Sequence, residues 1–295
     1  MIRSKQQQHL EIFAYVVMII VAIMILYPFL LLFMSSLTDE VTLSLNGYSV
    51  IPKKFSLNAY AYIWDARATI FRAYAVTICI TFVGTLLNVL ISALAAYPLS
   101  MRKLPGKNVL SFIFLFTMLF NGGMVSTYMT YTTIFHIKNT YAALLIPGVL
   151  FSPVNCIIIR TYFRTNVPEE LYDAAKIDGA SEWKTFFHVA VPMSIPIFVT
   201  IGIFAGLAYW NDWFNGMLYV TDRTKFSIQQ VLNIMISNIQ YLSQFAGTGR
   251  FVYGDIPSVS VRMAVAFVAF LPILCLYPFL QKYFRSGIAL GAVKG

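Results

Sequence analysis

Charge is what this sequence has least of. Only 11% of its 295 residues are Asp, Glu, Lys or Arg, against about 25% in a soluble domain. So little polar surface argues against a soluble enzyme, a disordered chain and a nucleic-acid-binding domain, despite a net charge of +9. Cysteine is scarce as well. Cys79, Cys156 and Cys275 each lie in an apolar run and form no C-x-x-C pair, which speaks for free thiols rather than a disulfide framework. The three histidines are scattered, so no metal site is expected. The twelve acidic residues all lie outside the middle of the apolar runs. An ion- or proton-coupled carrier buries an ionisable group within a span, so this distribution argues against secondary active transport. The patterns H-E-x-x-H, G-x-S-x-G and G-x-x-x-x-G-K-[ST] do not occur. The chain thus offers no hydrolase signature and no P-loop, and active transport would need energy from another chain.

What the chain has in quantity is apolar length. Hydrophobic residues make up 59% of it, and a spanning helix needs about 20 mainly apolar residues. Six such segments lie near 12–34, 72–97, 109–129, 141–160, 191–213 and 260–283. Asn121-Gly122-Gly123 and Pro147-Gly148 interrupt the third and fourth, which is compatible with kinks inside membrane helices. The first run is too long for the core of a signal peptide and no small-residue cleavage site follows, so it reads as a retained span. The expected fold is an all-α integral membrane protein with six transmembrane helices in one domain, 1–295. Arg102, Lys103 and Lys107 crowd the short 102–107 loop, whereas the 130–140 loop holds only Lys138. Positive loops stay inside, which places both termini in the cytoplasm. Two long external segments follow, about 35–71 and 214–259, with one cytoplasmic segment at about 161–190.

That cytoplasmic segment reads as two short helices joined by a turn. Pro168 suits a first helical turn. Glu169 and Glu170 sit at the positive end of the helix dipole. Leu171, Ala174 and Ala175 share one face at i, i+3, i+4. Gly179 suits the left-handed residue that ends a helix, and Ser181 can cap the next. Two readings fit these residues: a small-faced knob for a socket in a partner, or an amphipathic helix lying on the membrane.

The spacing of Asp173-Ala174-Ala175, then Gly179, then Val189, Val191 and Pro192 resembles the EAA signature of ABC-importer permeases, with Asp for Glu and Val for Ile and Leu. The wording of Tyr172–Ala180, Asn121-Gly-Gly, Tyr209-Trp-Asn-Asp-Trp-Phe and the tail Ile288–Gly295 resembles the carbohydrate, MalG-like branch of that family, particularly the subgroup importing oligosaccharides.

The resemblance implies a type I ABC-importer permease fold in a bacterial-type cytoplasmic membrane. It implies a dimer of cytoplasmic ATPases that holds the ATP and Mg, a second permease of paralogous sequence and an extracytoplasmic sugar-binding protein, with no cofactor in this chain. Glu170, Asp173, Ala174, Ala175, Gly179 and Pro192 would then couple ATPase closure to the membrane helices. The tail at 291–295 would touch the ATPases or fray. Tyr219, Tyr241, Phe245, Phe251 and Tyr253 would meet the binding protein or pack within their own segment. For the substrate path the sequence offers Trp210, Asn211, Asp212, Trp213 and Asn215, an aromatic and amide cluster suited to a saccharide. It equally suits an interfacial aromatic belt. The intramembrane amides Asn88, Asn121 and Asn155 would line the path or hydrogen-bond between helices. A stand-alone channel or carrier, a structural or assembly protein and an ABC permease for a non-sugar solute remain the alternatives.

Overall fold

A computed structural model describes residues 5–101, 104–246 and 259–292. Of the positions singled out above, Arg102, Lys103, Phe251, Tyr253 and 293–295 lie outside the described residues, as do the side chains of Phe245 and of 288–292. The described residues are helices and turns, and the β pairing among them is one isolated bridge, Thr38 to Phe55. The chain divides into two compact units, Met1–Ala68 with Leu232–Leu274 and Thr69–Val231 with Cys275–Gly295.

In the first unit, helix α1 (Lys5–Ser36) follows the first apolar run. Side chains from Leu10 to Leu30 are exposed on every face of it. A helix apolar all round is stable only in lipid or against other protein. The short helices α2 (Glu40–Asn46) and α3 (Asn58–Asp65) fold beside its end, where the Ser36 and Tyr60 hydroxyls lie 2.7 Å apart. Helix α14 (Ile228–Ala246) ends in this unit, and helix α15 (Val259–Ala292) begins in it. Its first N–H groups have no partner in their own helix, and Glu40 supplies one. Glu40 Oε1 accepts from the Val259 amide and Oε2 from the Ser260 amide, each at 2.9 Å, while the Ser260 hydroxyl donates to Oε2 at 2.7 Å. A carboxylate at that end also opposes the positive pole of the helix.

In the second unit, α4 (Arg67–Ser100) serves as a pillar with a buried cluster toward each end. Val76 and Ile80 pack with Ile137, Leu144, Tyr209 and Tyr219. Ala93, Ala96, Tyr97 and Leu99 pack with Ile159, Phe163, Phe186 and Ile201. Between the clusters, α12 (Ile195–Trp210) crosses α4 so closely that a Cβ on Gly84 would collide with the Tyr209 ring.

Of the six expected segments, the third, fourth and fifth are broken rather than simply kinked. Among the described residues three helices are long and apolar enough to cross a membrane: His9–Ser36 of α1, α4, and Val259–Leu276 of α15. Two bent pairs raise this to five. The third segment is α5 (Lys107–Leu119) and α6 (Met124–Met129), the latter continued by a π-helical turn at Thr130–Ile134, with a bend of 112° between them. At 1.5 Å per residue α5 rises about 20 Å, less than the hydrocarbon thickness of about 30 Å. Asn121-Gly122-Gly123 is an end, not a kink: Asn121 Oδ1 accepts the Gly123 amide at 2.9 Å, and Gly123 has φ +81. The fifth segment bends by 80° at Ser194, between Pro192 and Pro196, each of which removes an amide donor. The fourth is divided into α7 (Ala142–Leu145) and α8 (Pro153–Asn166), with Pro147-Gly148 in the gap and Gly148 at φ +73.

That gap would strand backbone carbonyls, and water is lacking at membrane depth. Side chains from other elements take three of them. The Tyr209 hydroxyl donates to the Leu145 carbonyl at 2.8 Å. Asn215 Nδ2 donates to that of Pro147 at 2.9 Å, and Asn88 Nδ2 to that of Val149 at 2.7 Å.

Candidate functional site

The segment expected at 161–190 leaves the end of α8, forms α9 (Glu169–Ile177), turns, and continues through α10 (Glu182–Thr185) and a π-helical turn, Phe186–Ala190. Pro168 stands one residue before the first turn rather than in it, with extended ψ of 136. The exit from α9 is a Schellman turn: the Ala180 amide donates to the Ala175 carbonyl at 2.9 Å and the Gly179 amide to that of Lys176 at 3.0 Å. Gly179 sits at φ +73, where a side chain is strained. Ser181 Oγ accepts the Lys184 amide at 3.3 Å, capping α10. Lys176 and Glu182 lie 3.7 Å apart across the turn.

Helix α9 contains no buried residue. Asp173, Ala174 and Glu170 are exposed and Ala175 is half-buried. Beside them Ile177 is 86% exposed and Trp183 65%. Leu171 and Phe187 are exposed as well, and Trp183 stacks on Phe187 with centroids 6.3 Å apart. An apolar surface on a solvent-side projection is costly unless something covers it. Pro192, in the short helix α11 (Val191–Met193), marks the bend back into α12.

The base of this projection is fixed by a residue that the sequence pattern does not single out. Tyr97, 7% exposed near the end of α4, lies edge-on to Tyr172 at 6.1 Å and packs on Phe186 at 5.1 Å and Phe163 at 6.1 Å. Its hydroxyl donates to Glu182 Oε2 at 3.2 Å. Burial pushes the Tyr172 hydroxyl up to about 12. A tyrosine near the end of an apolar run was the available signal, but its distant partners were not visible.

The polar residues proposed for a substrate path fall into separate places. Asn88, 1% exposed, accepts from Asn155 Nδ2 at 3.0 Å while holding the Val149 carbonyl. Asn215, in α13 (Phe214–Tyr219), gives Nδ2 to Pro147 and to Asp212 Oδ2 at 2.7 Å, and its amide donates to Asp212 Oδ1 at 3.0 Å. The structure thus brings Asn88, Asn155 and Asn215 to one unwound segment, 146–152. Trp210 is buried with its Nε1 unpartnered, and its ring lies 6.4 Å from Tyr74. Trp213 is 40% exposed. Asn211 Nδ2 is turned back to the Leu207 carbonyl at 2.9 Å. Asn121 is exposed and spends its Oδ1 on the turn after α5. Among the described residues no group of three or more His, Cys, Asp or Glu could hold a metal ion.

A broken-helix membrane unit with a capped helix pair projecting from one end has clear relatives. Residues 106–290 match the family described as binding-protein-dependent transport system inner membrane component, and the chain belongs to it. It is therefore a permease component of an ABC importer. It is 38% identical over 270 residues to Protein LplC of Bacillus subtilis, covering 91% of this chain and 89% of that one. It is 34% identical over 288 residues to the polygalacturonan/rhamnogalacturonan transport system permease protein YtcP of the same organism, covering 97% and 98%. Its fold is similar to that of a chain in the crystal structure of a bacterial ABC transporter involved in the import of the acidic polysaccharide alginate. The TM-score is 0.79 at 24% identity, over 96% of this chain and 99% of that one.

Proposed function

We propose that this chain is the permease subunit that passes a carbohydrate, in the form of an oligosaccharide, from an extracytoplasmic binding protein into the cytoplasm. It shares its cavity with a second, paralogous permease and has no catalytic role itself. ATP and Mg are bound and turned over on a separate ATPase dimer. The observation that carries this reading is the α9–Gly179–α10 projection, with its uncovered apolar surface and its Asp173-Ala174-Ala175 face. Glu170, Asp173, Ala174, Ala175, Gly179 and Pro192 form the ATPase-coupling surface, and both termini lie on that side of the cytoplasmic membrane. The relatives that carry polysaccharide names support the carbohydrate reading. Trp210, Asn211, Asp212 and Trp213 stand nearest the external end of the path. Asn88, Asn155 and Asn215 act by holding its unwound wall, and Asn121 acts at the turn after α5.

The test is affinity purification of the tagged chain in mild detergent, with mass spectrometry of what accompanies it. Recovery of an ATPase and a second permease is expected, with ATP hydrolysis stimulated by a saccharide and its binding protein. Recovery of the chain alone from membranes where the tagged protein is functional would return the stand-alone carrier.

A further inference from the structure

A cavity of about 270 Å³ opens at the end of α8, lined by Arg160, Thr161, Arg164 and Thr165. Arg160 and Arg164 stand one turn apart on one helix face. Lys107, at the start of α5, lies within electrostatic reach of both arginines. Each cation is only partly engaged. Arg160 Nε donates to the Leu99 carbonyl at 3.1 Å, which leaves the two terminal nitrogens of its guanidinium. Lys107 Nζ donates to the Met101 carbonyl at 2.8 Å. Among the described residues no carboxylate forms an ion pair with any of the three. Three cations in mutual reach repel one another, and the repulsion is strongest where water is thin. The C-terminal pole of α8 offsets part of that charge, but it leaves the guanidinium forks without a planar or tetrahedral oxyanion to fill them. The threonines turn inward, each hydroxyl donating to its own helix at 2.9 and 3.0 Å, so the charge-bearing contacts are those of the arginines and the lysine.

The surroundings say which oxyanion. Ile158 and Val154, three and seven residues before Thr161 on α8, are exposed, and Leu110 of α5 is exposed three residues beyond Lys107. The cationic cavity therefore crowns an apolar surface that continues along the spans. This is the profile of a phospholipid: acyl chain along the helices, phosphate at their end. We propose that Arg160, Arg164 and Lys107 form a binding site for the phosphodiester of an anionic phospholipid. The site lies at the same end of the second unit as α9, so on the permease reading the lipid belongs to the cytoplasmic leaflet. Only that leaflet assignment rests on the permease reading. The site itself does not.

The experiment is native mass spectrometry of the full-length chain in detergent, titrated with phosphatidylglycerol or phosphatidylcholine, for the wild type, Arg164→Gln, Arg164→Lys and Lys107→Gln. The wild type should retain phosphatidylglycerol in preference to phosphatidylcholine. Arg164→Gln should weaken that retention about tenfold, the loss of one charge-assisted hydrogen bond, and Arg164→Lys should weaken it less. Lys107→Gln, on a different helix, gives the same answer if Arg164→Gln does not fold. Equal retention by wild type and both neutral variants overturns the proposal. So does binding of millimolar inorganic phosphate with no lipid retained, because the site would then take a free anion. Retention is read without ATPase or sugar, so its failure leaves the transport reading standing, and a failed transport assay leaves the lipid site standing.

Discussion

The Tyr97 hydroxyl donates to Glu182 Oε2 at 3.2 Å, joining residues 85 positions apart. Tyr97 belongs to the pillar helix and Glu182 to the first turn of α10, just past the projecting helix. The projection is therefore tied to the spans by one charge-assisted bond and an aromatic cluster. Tyr97→Phe keeps the ring and removes the bond. It is expected to cost about 1–3 kcal/mol, seen as a lower thermal unfolding midpoint in detergent, while Tyr97→Ala costs about 3–5 kcal/mol because the ring leaves a cavity.

Ala175 is half-buried on the face where α9 carries its small side chains. On the coupling reading, Ala175→Trp fills the space that a partner surface must occupy. Uptake should fall to background while ATP hydrolysis by the assembled transporter continues and the chain stays folded in the membrane. Normal uptake by this variant, present at normal levels, would sink the coupling assignment.

The unwound segment 146–152 depends on Asn88. Asn88→Leu leaves the Val149 carbonyl and the Asn155 amide without their partners. Stability should fall by about 1–3 kcal/mol for each group left unsatisfied. Faster amide exchange confined to the 146–152 region would mark the local origin of the loss. Unchanged exchange there would mean that water or lipid replaces the bond.

Asp222 gives the 221–225 loop a pH dependence. Hydrogen bonds from the Thr224 hydroxyl and amide, then Lys225, hold its carboxyl down at about 2. A depressed carboxylate stabilises the fold above its ordinary value and loses that contribution as the pH falls toward its folded value. Protection of the 221–225 loop should be flat from pH 7 to about 5 and weaken from about 4 downward. Asp222→Asn should abolish the slope. The neighbouring Asn139, whose Oδ1 accepts the Thr221 amide at 2.6 Å, does not titrate and should keep its bonds.

How much of this was legible beforehand follows the range of each interaction. The left-handed Gly179 that ends α9 and the Ser181 cap involve residues within five positions, and the sequence foresaw both. The three long spans followed from apolar length alone. The breaks at Asn121-Gly122-Gly123 and Pro147-Gly148 were visible, but not whether they kink or end a helix. That depended on the Asn121 turn and on Tyr209, Asn88 and Asn215, which reach the freed carbonyls from 61 to 68 residues away. The amides read as substrate contacts or interhelical bonds were for the same reason undecidable from composition.

Scarce charge and long apolar runs determined a membrane protein, because neither water nor a soluble core can accommodate such a chain. The spacing from Asp173 to Pro192 determined the family to which it was likened, because a helix, a left-handed glycine and a capped helix are local constructions. The tertiary structure alone decided which polar side chains repair broken backbone, that Tyr97 anchors the projection, and that Lys107 comes within electrostatic reach of Arg160 and Arg164. Each of these is a meeting of residues far apart in sequence. The energy of such a meeting depends on burial and distance, and neither quantity exists until the helices have packed.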